Sequence, residues 1–185
     1  MRAVARSIVP VALAVVLVQP GTAAAHRLDE YLQATRIAVN IDSVDLEIDL
    51  TAGVEVAPKV WALVDADGNG KASEAEAETY SNTLLAAMSL RVDDRPCKIG
   101  LVASRFPTQA DLMSGSGPIH VQARAALRPT APGRHRLFFR NTHQPQLSVY
   151  LVNALVPLNR AITIGSQRRD PKQTQLTMAY TIAEH

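Results

Sequence analysis

The chain has 185 residues, with 19 Lys and Arg against 17 Asp and Glu, and a single cysteine. Two of the basic residues, Arg2 and Arg6, fall in an N-terminal leader; without them 17 charges of each sign remain, which removes any compositional case for nucleic acid or an anionic membrane surface. Cys97 has no second cysteine to pair with, so an intrachain disulfide framework is excluded. In its strand-like run it reads as a small buried residue.

Residues 1–25 read as a signal peptide. Arg2 and Arg6 form the basic start, Ile8 to Val18 the apolar stretch, Gln19-Pro20-Gly21 the break, and Ala23-Ala24-Ala25 the cleavage site. The apolar run is about half the roughly 20 residues that a membrane span needs. Cleavage after Ala25 makes His26 the mature N-terminus and gives an exported product, periplasmic or secreted, with a bacterial style of leader. The longest later apolar segment, Leu147 to Leu158, contains Asn153 and Pro157 and is too short to span a bilayer.

Residues 26–185 read as one mainly β domain. Gln33 to Val39 and Val44 to Leu50 flank the turn Asn40-Ile41-Asp42-Ser43. The second run alternates strictly: Val44, Leu46, Ile48 and Leu50 on one face, Asp45, Glu47 and Asp49 on the other. Leu90 to Val92, the turn Asp93-Asp94-Arg95-Pro96 and Cys97 to Val102 read as a second hairpin. A small-residue loop from Gln109 to Gly117 precedes a strand from Ile119 to Leu127. Further strands are expected at His135 to Arg140, Leu147 to Leu155, Ala161 to Gln167 and Gln175 to Ile182. Eight or nine short strands with frequent turn signals predict an immunoglobulin-like β-sandwich.

Residues 57–89 break this pattern with a helix–loop–helix insertion. Pro58 suits the first turn of a helix that places Val60, Trp61 and Val64 on one side. A second helix is predicted over Ser73 to Leu90, with Tyr80, Leu84, Leu85 and Met88 at helical spacing. The twelve residues between Asp65 and Glu76 match the EF-hand calcium loop at every liganding place. Asp65, Asp67 and Asn69 offer side-chain oxygens at alternate positions, and Gly70 permits the sharp turn. Lys71 offers its backbone carbonyl, Ser73 the place that often acts through water, and Glu76 a bidentate carboxylate. Calcium, a hard cation that takes six to eight oxygens, is the expected ligand; a seven-oxygen site of this size disfavours magnesium. Only three ligating carboxylates are present, Ala72 stands where a loop-pairing aliphatic is usual, and the chain has no second loop. A structural role therefore fits better than a paired, groove-opening sensor.

The histidines, at 26, 120, 135, 143 and 185, form no H-x-x-x-H or H-E-x-x-H pattern, and no G-x-S-x-G, P-loop or dinucleotide motif is present. This points away from an enzyme. The mature N-terminal His26, with His143 on the loop Asn141 to Pro145, is the candidate transition-metal pair. The cluster Arg168-Arg169 with Lys172 reads as a solvated turn, with a phosphate or partner contact as the alternative.

Four strings, His26 to Ala34, Phe139-Arg140-Asn141, Ser148 to Pro157 and Gln167 to Asp170, resemble the extracytoplasmic β-rich domain that precedes the membrane helices of HupE/UreJ-like proteins. That family is linked to hydrogenase and urease accessory functions and nickel transport. The resemblance implies a periplasmic relative that docks on a membrane transporter or another periplasmic protein. It supplies the second functional expectation: an accessory nickel or copper protein using His26. The first expectation remains a calcium-binding module.

Overall fold

The computed structural model describes residues 28–128 and 131–184. The signal peptide, its cleavage site and His26 lie outside the described residues, as does His185.

Alternation builds the first layer. In β1 (Tyr31–Val39) and β2 (Ser43–Ala52) the odd and even positions respectively turn inward, so that Ile37, Val39, Val44, Leu46, Ile48 and Leu50 are all buried. The two pair antiparallel from Tyr31 opposite Ala52 to Val39 opposite Val44. After β2 the chain leaves the sheet as α1 (Ala57–Val64) and α2 (Glu74–Ala86). It returns as β3 (Met88–Val92) and β4 (Arg95–Cys97), then β5 (Ile99–Arg105) and a short α3 (Gln109–Met113). Strands β6 (Ile119–Ala126), β7 (Gly133–Asn141), β8 (Ser148–Ala154), β9 (Ile162–Arg169) and β10 (Gln175–Ile182) complete the order.

The ten strands form two five-stranded sheets, ordered β5-β6-β2-β1-β8 and β4-β3-β7-β10-β9. Among the described residues only β1 and β8 pair in parallel. Inward side chains of both sheets, together with Val60, Trp61, Val64, Tyr80, Leu84 and Leu85 of the helices, belong to one continuous core. The protein is mainly β, and two sheets around a shared core fit a β-sandwich. Among the described residues no helix is long and apolar enough to cross a membrane.

Six expectations need correction. The second helix stops at Ala86, with Ser73 as its cap, and Met88 to Val92 is strand. Pairing β3 with β7 buries Met88, Leu90 and Val92 together, whereas continued helix would point only some of them inward. The expected strand Cys97 to Val102 is two strands in different sheets: β4 pairs with β3, and β5 with β6. Asp93 and Asp94, both at positive φ (49° and 61°), make a two-residue hairpin turn, which moves Arg95 and Pro96 into edge strand β4. Cys97 is only half-buried. The small-residue loop contains α3, begun by Thr108, whose hydroxyl accepts the Asp111 N–H. Finally, Arg168 and Arg169 are the end of β9 and not a turn; Arg169 Nε donates to the Val152 carbonyl of the other sheet at 2.6 Å.

Candidate metal centre

The insertion crosses between the sheets, and its loop is built from its ends inward. Pro occupies the first turn of α1, and the helix stops at Asp65. Asp65 is buried, and its carboxylate caps three donors. Trp61 Nε1 donates to Oδ2 at 3.0 Å, Gly70 N–H to Oδ2 at 2.8 Å and Asn69 N–H to Oδ1 at 3.1 Å. Burial pushes its pKa up, but the donated bonds, Gly70 first and then Trp61, win and hold the carboxyl below its ordinary value. Wrapping the loop round one carboxylate requires a tight turn, and Gly68 and Gly70 sit at φ +72° and +81°.

Glu76 closes the other side. Ser73 and Glu76 form a complete capping box at the start of α2: Glu76 N–H donates to Ser73 Oγ, and Ser73 N–H donates to Glu76 Oε2 at 2.9 Å. Ser73 Oγ–H also donates to Oε2, at 2.7 Å. The other oxygen, Oε1, accepts the N–H groups of Ala66 at 2.8 Å and Asp67 at 3.3 Å, so the twelfth residue of the loop is tied back to its second and third. The Ser73 hydroxyl and N–H together lower the Glu76 pKa to about 2.

One carboxylate oxygen each from Asp65, Asp67 and Glu76 lies within 4.8 Å of the others. These are three of the six expected ligands. Asn69 joins the ring through Asp67, donating its N–H to Oδ1 at 3.0 Å and its Nδ2–H to Oδ2 at 2.8 Å. Its own Oδ1 accepts the Lys71 N–H at 2.9 Å. The Lys71 side chain is exposed, and the Ser73 hydroxyl is engaged in the capping box. The bonds donated to Asp65 and Glu76 keep both ionised despite their proximity, and the concentrated negative charge suits a divalent cation.

A second polar cluster, unmarked by any motif, lies one helical turn further along α2. Tyr80 is buried, and its hydroxyl meets that of Tyr31 at 2.6 Å; both phenols are pushed up by burial, Tyr80 to about 12. Edge-on against Tyr80 stands His143, ring centroids 5.5 Å apart. His143 was expected on an open loop beside His26, but only 3 % of it is exposed. His143 N–H fixes Asn141 Oδ1 as an acceptor, so Asn141 Nδ2 donates to Gln33 Oε1. The two hydrogens of Gln33 Nε2 are shared among the His143 carbonyl at 3.0 Å, Ser148 Oγ at 2.6 Å and, more distantly, His143 Nδ1 at 3.2 Å. The other ring nitrogen, Nε2, is buried without a hydrogen-bond partner. Burial lowers the His143 pKa to about 4.

Tyr31, Gln33, Asn141, Ser148 and Tyr150 of this network, the last donating to the His143 carbonyl at 2.8 Å, all come from the strings singled out in the sequence. The available signal was polar residues at the inward positions of β1 and β7; nothing in one sequence says that they meet. No protein-family model matches the chain, and no curated protein matches it.

Proposed function

We propose that the protein is an exported calcium-binding module, with calcium held in a single EF-hand loop, Asp65 to Glu76, and rigidifying the helical insertion of a β-sandwich. The observation that carries this reading is the convergence of the first, third and twelfth residues of the loop within 4.8 Å, from two helices and a glycine-turned loop. The oxygen set suits a hard cation: Asp65, Asp67 and Glu76 supply carboxylates, Asn69 an amide oxygen, Lys71 a carbonyl and Ser73 the water-mediated place. Ala72, partly buried against the core, leaves no exposed aliphatic for a partner loop, which favours a solitary structural site. The module acts without catalysis and works beside a membrane transporter or another periplasmic protein.

Calcium that binds the folded chain alone must stabilise it. At free calcium about 100 times the dissociation constant the gain is roughly 2.7 kcal/mol. Thermal unfolding of the mature protein, with calcium and with chelator, reads this as a rise in Tm that Glu76→Gln removes. The absence of a shift at millimolar calcium in the unmutated protein would refute the proposal. A competing explanation, an acidic turn satisfied by its own N–H groups, requires equal Tm with and without the ion.

A further inference from the structure

The outer face of the second sheet carries a charge surplus that the metal loop does not use. Alternation along β7 turns Arg134, Arg136 and Arg140 outward, opposite the buried Leu137 and Phe139. Register places their neighbours: Arg136 stands beside Ala179, and Thr177 of β10 lies between Phe138 of β7 and Arg168 of β9. The result is a trough of about 690 Å³, floored by Thr177 and Ala179 and walled by Arg134 and Arg136 on one side and Arg168 on the other, with the carboxylates of Asp93 and Asp94 also lining it. With strands about 4.8 Å apart and residues about 3.3 Å along, the Cα atoms of Arg136 and Arg168 are roughly 12 Å apart. Two extended arginine side chains close that span around a small anion.

The state of each charge matters. Arg136 Nη2 donates to Asp94 Oδ2 at 2.7 Å, which holds its guanidinium at the rim. Asp93 is taken up by His135 Nδ1 and the Arg136 N–H. Arg91 lies over the Phe138 ring, 4.5 Å from its centroid. The side chains of Arg134, Arg140 and Arg168 make no ion pair or hydrogen bond among the described residues. The first sheet's outer face is the opposite case: Asp45, Glu47 and Asp49 are matched by Arg36, Arg124 and His120.

We propose that the trough is a binding site for a phosphate-bearing anion, with Arg134, Arg136 and Arg168 pairing its oxygens and the Thr177 hydroxyl donating from the floor. Guanidinium forks match phosphate oxygens two at a time, and a concave trough with a small-residue floor selects a discrete group over an extended charged surface. Inorganic pyrophosphate in chelator-containing buffer, which silences the calcium loop, is the first probe. Vesicles of phosphatidylcholine with phosphatidic acid are the second. The expected result is saturable binding that shifts the Thr177 and Ala179 amide resonances, falls at least about tenfold in Arg168→Gln and persists in Arg124→Gln on the other face. Binding of pyrophosphate identifies a soluble ligand; Arg168-dependent binding to vesicles alone identifies a lipid headgroup. The proposal is overturned by no saturable binding of either probe up to millimolar concentration, or by binding undiminished in Arg168→Gln. Vesicle binding lost in Val156→Ser with Leu158→Ser, the two most exposed large apolar side chains among the described residues, but kept in Arg168→Gln overturns it as well.

Discussion

Helix α2 carries two polar clusters one turn apart, and they are completed in opposite ways. At Glu76 the groups are charged and near solvent, and most donors are backbone N–H groups of the loop itself. At Tyr80 they are neutral and buried, and nearly every bond runs between side chains, or to one carbonyl, over sequence separations of up to 115 residues. The first cluster gathers carboxylates, two of which are held ionised by donated bonds. The second is satisfied by the chain alone, apart from one imidazole nitrogen. Local sequence builds a charged, solvent-facing loop; distant sequence builds a plug that holds the helix to the sheets.

The sharpest way to break this contrast is to open the plug. Gln33→Leu strands Asn141 Nδ2 and removes the amide that faces His143 Nδ1; unpaired buried groups cost about 1–3 kcal/mol each, so a loss of roughly 3 kcal/mol in urea unfolding is expected. Because the loop is built locally, the calcium-dependent rise in Tm survives in this variant; its disappearance would show that the two clusters are one unit. Next is pH. His143 has a folded pKa of about 4 against an ordinary 6.5, so the unfolded chain takes up a proton first as pH falls. Stability is then fully present above about 6.5 and declines down to about 4, by up to about 3 kcal/mol. A His143→Gln variant has a flat profile over that window; an unchanged slope there would assign the effect to another group.

A smaller effect isolates the link between the helix and β1. Tyr31→Phe removes one hydroxyl and leaves Tyr80 without its partner at 2.6 Å, for an expected loss of about 1–2 kcal/mol. Equal stability of the variant would mean that Tyr80 finds another partner. The smallest effect belongs to Glu76 without metal. Its folded pKa, about 2, lies below its ordinary 4.5, so its contribution is present above pH 4.5 and is lost as pH falls towards 2. In chelator, amide protection factors across residues 66–76 should fall over that range in the unmutated protein and stay constant across it in Glu76→Gln.

How much of this was legible in the sequence follows from the range of the interactions. The alternation of Val44 to Leu50 and of Ile119 to Ala125 identified both strands and their buried faces, because each inward residue is fixed by its own neighbours. Val60, Trp61, Val64 and Tyr80 were placed correctly for the same reason. Boundaries failed where tertiary pairing competes with local preference: Met88 fits the helical period but gains more in β3 against β7. Cys97 to Val102 reads as one strand, yet the chain changes sheets within it, which no periodicity encodes.

The sequence by itself determined the loop, since twelve contiguous residues carry its converging carboxylates, its glycine turn and its cap. It also determined the mainly β character through period-two alternation. Tertiary structure alone decided where each polar residue ended up. His143, expected on an open loop, became the buried centre of a network because Gln33 and Asn141 arrive from β1 and β7. Arg168, expected in a solvated turn, became the wall of a trough because β10 seats it across from Arg136. Short-range geometry is written in the spacing of residues; long-range convergence is set by strand register, and a single sequence does not print its register.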